Sequence, residues 1–177
     1  MVTWMNSDGL YIKYGPNEGV STMKAGEYET CDSGLQIIEV TLDLTKLTQT
    51  NTIVNDAVLF PKYGYVAWIE TVAVVGAATG TAINVGLINR DRSTEIDYDG
   101  FLAAAPTANM NSAGETSRYQ QAVTVPTTLT GVGALIGTEV TTAGGGYICA
   151  ARTDATAFTA GVIKVRIGYI PMGKQNP

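Results

Sequence analysis

The chain has 177 residues, 45% hydrophobic and 15% charged, with 20 glycines, a formal charge of −5 and no histidine. A chain of this length buries about 70% of its unfolded surface, enough for one core without staples, and scarce charged helix formers beside abundant Thr, Ala, Val and Gly favour an all-β domain. Without a Lys/Arg cluster, nucleic-acid binding by phosphate neutralisation is excluded; without histidine, Ser-His-Asp and Cys-His catalysis and histidine metal sites are excluded; and no apolar run reaches the length of a membrane-spanning helix.

Residues 1–9 read as an extended arm, residues 10–171 as a single β-sandwich domain and residues 172–177 as a polar tail. The first residues lack the basic-then-apolar order of a secretory signal. Gly9 to Gly15 reads as a short strand, with Leu10, Ile12 and Tyr14 opposite Tyr11 and Lys13. Trp4, Met5, Tyr11 and Tyr14 crowd into a terminus with little core of its own. They serve either as core or as an interface anchor, and the interface assignment is the one adopted, because aromatic residues are enriched at interfaces and a terminus needs something to tie it down. Pro16, Asn17 and Gly19 mark a turn, and Met23 to Thr30 is a candidate strand. Cys31 and Cys149, the only cysteines, read as two buried thiols of a chain kept in a reducing compartment, with one disulfide as the alternative.

Leu35 to Leu44 alternates, with Ile38, Val40, Leu42 and Leu44 on one face and Glu39, Thr41 and Asp43 on the other. That is a half-buried antiparallel strand. Thr48 to Thr52 is a polar loop. Ala57 to Phe60 is a brief apolar strand stopped by Pro61. Tyr65 to Val75 carries Val66, Trp68, Val72 and Val74 at even positions, and Thr81 to Asn89 places Ile83, Val85 and Leu87 on one side. With Gly76 and Gly80 between them, the two segments predict a long hairpin whose apolar face, Trp68 included, lies in the core.

Arg90 to Gly100 is an acidic run with three readings. The first is a solvated loop. The second is a partial calcium site on Glu95, Asp97 and Asp99, which resembles the first half of a calcium loop but has Pro106 where the bidentate glutamate belongs. The third takes the same residues as one face of a strand, like the acid, helper and nucleophile of a jelly-roll glycosidase. In that reading Asp99 replaces the expected glutamate, and the chain is a glycan-binding or glycan-cleaving sandwich. The expectation is no catalytic residue, no cofactor and no metal, with Glu95, Asp97 and Asp99 as weak metal candidates.

Beyond Gly100, Phe101 to Ala105 reads as a helical turn and residues 107–120 as a loop. Gln121 to Val125 is a candidate strand and Leu129 to Val140 a bent strand or surface crossing. Tyr147 to Arg152 and Gly161 to Ile170 read as a final strand pair. In the second of these, Ile163, Val165, Ile167 and Tyr169 point inward while Lys164 and Arg166 point outward. Seven to nine short strands separated by turn signals predict an all-β, antiparallel two-sheet sandwich of jelly-roll type.

Three stretches carry a resemblance: Asn6 to Gly15 (NSDGLYIKYG), Asn84 to Phe101 (NVGLINRDRSTEIDYDGF) and Phe158 to Pro171 (FTAGVIKVRIGYIP). They resemble small virion structural proteins of tailed bacteriophages. The resemblance implies a non-enzymatic head decoration (cement) protein on the capsid surface, made in the host cytoplasm. It implies a homo-oligomer, a trimer, with the major capsid protein as partner; charge and hydropathy, as above, give the expectation that neither nucleic acid nor membrane is bound. A tail or neck component is the alternative position. The family supplies no active-site residues.

Overall fold

A computed structural model of the chain describes residues 3–5, 11–13, 35–50, 52–53, 58–120, 130–141 and 145–172. The chain forms two compact units, Met1–Gly34 and Leu35–Pro177. In the first, β1 (Thr3–Met5) pairs antiparallel with β2 (Tyr11–Lys13), Trp4 opposite Ile12 and Met5 opposite Tyr11. The expected strand at 23–30, the second expected strand at 121–125 and the tail from 173 lie outside the described residues.

The second unit is an antiparallel two-sheet β-sandwich. Its strands are β3 (Gln36–Asp43), β4 (Thr52–Ile53), β5 (Leu59–Phe60), β6 (Gly64–Ala78), β7 (Ala82–Asn89), β8 (Glu95–Pro106), β9 (Thr116–Tyr119), β10 (Gly146–Arg152) and β11 (Ala160–Pro171). One sheet runs β3-β11-β6-β9 and the other β4-β10-β7-β8. β5 also pairs with β10, so β4 and β5 together form one interrupted edge. Among the described residues there is no α-helix, only 3-10 turns at Leu44–Lys46 and Thr107–Met110.

The core lies between the sheets. Val40, Leu42 and Leu44 enter it from one edge, and Ile163, Val165, Ile167 and Tyr169 from the centre of the same sheet, all buried as the alternation predicts. Ile83, Val85 and Leu87 meet them from the other sheet, fully buried. Phe60 joins the layers, its ring centroid 5.4 Å from Phe101 and 5.2 Å from Tyr169. The Tyr169 hydroxyl donates to Gln36 Oε1 at 2.6 Å, which gives its polar end a partner. Cys149 is a buried free thiol.

Several expected pairings are corrected. β6 and β7 are not a hairpin: β6 pairs with β11 and β9, β7 with β10 and β8. The link at 79–81 crosses from one sheet to the other. Thr79 sits there at φ 73, and its hydroxyl donates to the Ala157 carbonyl at 2.9 Å. Likewise β10 and β11 belong to different sheets and are not a final pair. Apolar alternation reports which face is buried, not which strand is the neighbour, and from β6 to β7 and from β10 to β11 the chain changes sheets. Phe101 to Ala105 is not a helical turn but the second half of β8, with Phe101, Leu102 and Ala105 buried. The expected loop at 107–120 contains a 3-10 turn and β9.

Trp68 is also corrected. It is half-buried on the outer face of its sheet, while Val66, Ile69, Thr71 and Ala73 face inward. The cause is a register shift. Gly168 stands opposite Trp68 and Tyr169 opposite Val66, so one extra residue of β6 reverses the alternation after Val66. Segment 130–140, expected to be bent or to cross the surface, bridges the sheets. Gly131 O accepts from Ala103 N–H at 3.0 Å on one side, and Thr138 O from Val66 N–H at 2.9 Å on the other.

Candidate functional site

The acidic run folds as a turn followed by a bulged strand. Asp91 Oδ1 accepts the backbone N–H groups of Ser93 and Thr94, each at 2.8 Å, and the Thr94 hydroxyl donates to Asp91 Oδ2. The Thr94 hydroxyl first, then the two amides, hold the Asp91 carboxyl down to about 2. This exposed carboxylate is occupied in shaping its own turn.

Glu95, Asp97 and Asp99 lie in β8, not in a loop. Opposite β7, Glu95 faces Ile88 and Asp97 faces Leu87, whereas Leu102 faces Val85. β8 therefore carries extra residues against β7, and the regular alternation needed to place all three carboxylates on one face is broken. The bulge lies on Gly86, where an added Cβ would stand 2.1 Å from the Asp97 carbonyl oxygen. Glu95 Oε1 accepts from Tyr98 N–H and Asp97 Oδ1 from Asp99 N–H, both at a long 3.4 Å. Burial first, then the neighbouring Asp99 carboxylate, push the Asp97 carboxyl above its ordinary value. Asp97 and Asp99 are thus brought together, with Glu95 spent on the strand's own backbone. Among the described residues no group of three or more Cys, Asp or Glu is placed to hold a metal ion. Burial pushes the Cys149 thiol up to about 12, which favours its protonated form at neutral pH.

The outer face of the β3-β11-β6-β9 sheet is the more distinctive surface. The Trp68 indole lies against Gly168, where an added Cβ would come within 2.2 Å of the ring, and the Arg118 guanidinium lies 4.4 Å from its centroid. The next row is charged. Glu39 accepts from Lys164 Nζ at 2.7 Å and from Arg166 Nε at 2.8 Å, and Arg166 Nη1 reaches Glu70 at 3.1 Å. Lys164 and then Arg166 hold the Glu39 carboxyl below its usual range. These pairs stand in solvent and are screened by it, so they set cross-strand order more than stability. Apolar side chains flank this row: Leu35 and Ile37 are 52% and 57% exposed, Val74 and Val75 each 46%. Sequence reading missed this face. The signal was present at the start of β3, where Ile37, and Leu35 just before the strand, put apolar residues on the parity otherwise held by Glu39, Thr41 and Asp43.

Of the interface candidates, Trp4, Met5 and Tyr11 lie in the β1–β2 hairpin, with their side chains outside the described ones, and Tyr14 lies outside the described residues altogether.

No protein-family model matches the chain, and no curated protein matches it. Among solved structures, one chain of the cyanophage Pam1 capsid asymmetric unit shares the fold. The TM-score is 0.52 at 13% identity, covering 85% of this chain and 94% of that one. A chain from the crystal structure of tomato aspermy virus aligns over 92% of each chain at 16% identity, but its TM-score of 0.30 is too low to carry an argument.

Proposed function

We propose that this chain is a non-enzymatic structural protein of a virus particle, and more narrowly a decoration (cement) protein on a phage head. The observation that carries the reading is the fold shared, nearly end to end, with a chain of a phage capsid asymmetric unit. The wrap of the chain supports it. With β4 and β5 counted as one position, the sandwich has eight strands in two four-strand sheets, which we assign as a jelly roll. Viral capsid domains are among the proteins that use this architecture. The acidic trio favours no enzyme: the Glu95 and Asp97 carboxylates accept from the bulged strand's own backbone, and the chain has no histidine to act as general base. In this reading the chain is made in the host cytoplasm and binds the major capsid protein as a homo-oligomer, a trimer, with the N-terminal residues around Trp4, Met5, Tyr11 and Tyr14 in the contacts.

The test is mass spectrometry of purified empty heads against purified tails. The chain is expected in heads, in near-stoichiometric ratio to the major capsid protein. Recovery in tails alone would replace the head assignment with the tail or neck alternative, and absence from both would end the virion reading. The Glu95→Gln, Asp97→Asn, Asp99→Asn variant is expected to bind heads as the parent does.

A further inference from the structure

We propose that the free edge of β3 is a strand-acceptor site, filled by an extended segment from residues 1–34 of a second copy of this chain. The argument begins with the four edges of the sandwich. An open edge is a template for pairing, and natural sheets guard theirs with short strands, bulges, charges or covering loops. The β8 edge is covered, because Gly131 O accepts from Ala103 N–H and Gly100 O from Leu135 N–H, at 3.0 and 2.8 Å. The opposite edge of that sheet is broken into β4 and β5, two residues each. β9 is only four residues long.

Among the described residues, β3 is neither short nor bulged, and no loop covers it. It runs eight residues against β11 in unbroken register, from Asp43 opposite Val162 to Gln36 opposite Tyr169. It contains no proline, lysine or arginine. Its two charges are engaged within the domain: Glu39 with Lys164 and Arg166, Asp43 with Lys46 at 3.2 Å. At its start Leu35 and Ile37 are more than half exposed. Among the described residues, no second strand pairs with it.

Area decides what kind of occupant fits. One eight-residue edge offers much less than the roughly 800 Å² per partner that holds two globular bodies together. It suits an extended segment, which gains main-chain hydrogen bonds along the edge and apolar contacts at alternate positions. This chain carries such a segment in front of β3. Met1–Gly34 forms its own unit, and both of its described pieces, Thr3–Met5 and Tyr11–Lys13, are already extended strands. Half of those residues, extended, reach about 55 Å, far enough to meet a neighbouring copy. The sequence around β2, Leu10-Tyr-Ile-Lys-Tyr14, offers apolar residues for Leu35 and Ile37.

The proposal rests on the oligomer reading above but not on the virion reading, and it is tested on the purified full-length protein. Light scattering gives the mass, and hydrogen exchange gives the protection of those Gln36–Asp43 amides that point away from β11 to the open edge. The parent is expected to be an oligomer with those amides protected. The Leu35→Lys, Ile37→Lys variant and the variant lacking residues 1–14 are each expected to fall to the 18.6 kDa scale of one chain. In both, the β3 amides are expected to exchange at least about tenfold faster, as local opening to solvent requires. The Val74→Lys, Val75→Lys variant, altered at the other exposed apolar site, keeps the parent's mass. Circular dichroism confirms that each variant is folded; if the deletion variant fails to fold, the lysine pair decides. A monomeric parent, an oligomer that survives the lysine pair, or an oligomer with unprotected β3 amides each overturns the proposal. Protection that arises only on adding purified heads assigns the edge to a shell protein and overturns the second-copy occupant. Absence of the chain from heads, with self-association intact, would overturn the virion reading and leave this proposal standing.

Discussion

Trp68 shows how a single residue's place changes the expected energetics. Lying half-buried between Gly168 and the Arg118 guanidinium, it loses on truncation only part of an aromatic burial plus one cation–π contact. Trp68→Ala is therefore expected to cost about 1–2 kcal/mol. Phe101→Ala, which removes a fully buried ring packed on Phe60, is expected to cost about 3–5 kcal/mol. Urea denaturation of both variants checks the order, and an equal or larger cost at Trp68 would return it to the core. Asp97 makes a second residue-scale case. Its carboxyl is raised above the ordinary 3.8, by burial first and then by Asp99. A raised carboxyl favours the neutral acid in the folded state. Its stabilising contribution is complete below the unfolded value and is lost as pH rises through the folded one. Asp97→Asn is thus expected to melt above the parent at neutral pH, with the gap closing as pH falls toward about 4. A lower melting temperature at neutral pH would mean that the carboxylate's bond to the Asp99 amide outweighs its burial cost.

At the scale of elements, β3 and β11 were legible because each alternates without interruption over its core-facing residues: Val40, Leu42 and Leu44 in one, Ile163, Val165 and Ile167 in the other. β6 was legible as a strand but not in which residues it buries beyond Val66, and β8 was not legible as one strand, because each holds extra residues relative to its partner. A bulge changes which parity is buried, and no single-residue propensity announces it. In β6 the shift moved Trp68 outward and Thr71 inward. In β8 it disguised a twelve-residue strand as a loop and a helical turn, and with it the true setting of Glu95, Asp97 and Asp99. The glycine at 86 was the available clue, since glycine inside a strand often marks a close backbone approach. Gly86→Ala tests the β8 bulge directly. Its Cβ would meet the Asp97 carbonyl oxygen and the Tyr98 carbonyl carbon at 2.1 and 2.4 Å, both backbone atoms with little room to give. The expected loss is about 1–3 kcal/mol, read as a lower urea midpoint at unchanged slope. A neutral substitution would show that the β8 backbone does not lie on Gly86.

For the molecule as a whole, the number of strands and the two-layer packing follow from short alternating segments between turn signals, whereas the strand order does not. Consecutive strands here change sheets repeatedly, so nearest neighbours in sequence are rarely nearest in space; β11 sits between β3 and β6, the earliest long strands of its sheet. That arrangement has a consequence for folding. The first sheet cannot be completed until the last strand, Ala160–Pro171, inserts at its centre, so closure requires contacts across most of the unit and is expected to be slow for its size. It also means that the core draws on residues from Val40 to Tyr169, all inside Leu35–Pro177. A unit that holds both sheets and the residues packed between them has what it needs to fold by itself. A chain beginning at Leu35 is therefore expected to give a β-type circular dichroism spectrum and one cooperative melting transition. Removing residues from the other end reverses the outcome. A chain stopped before Ala160 loses the strand between β3 and β6, together with Ile163, Val165, Ile167 and Tyr169, and is expected to show no cooperative transition. If the chain starting at Leu35 also lacks a cooperative transition, the sandwich depends on its first 34 residues, and the two units form a single folding unit.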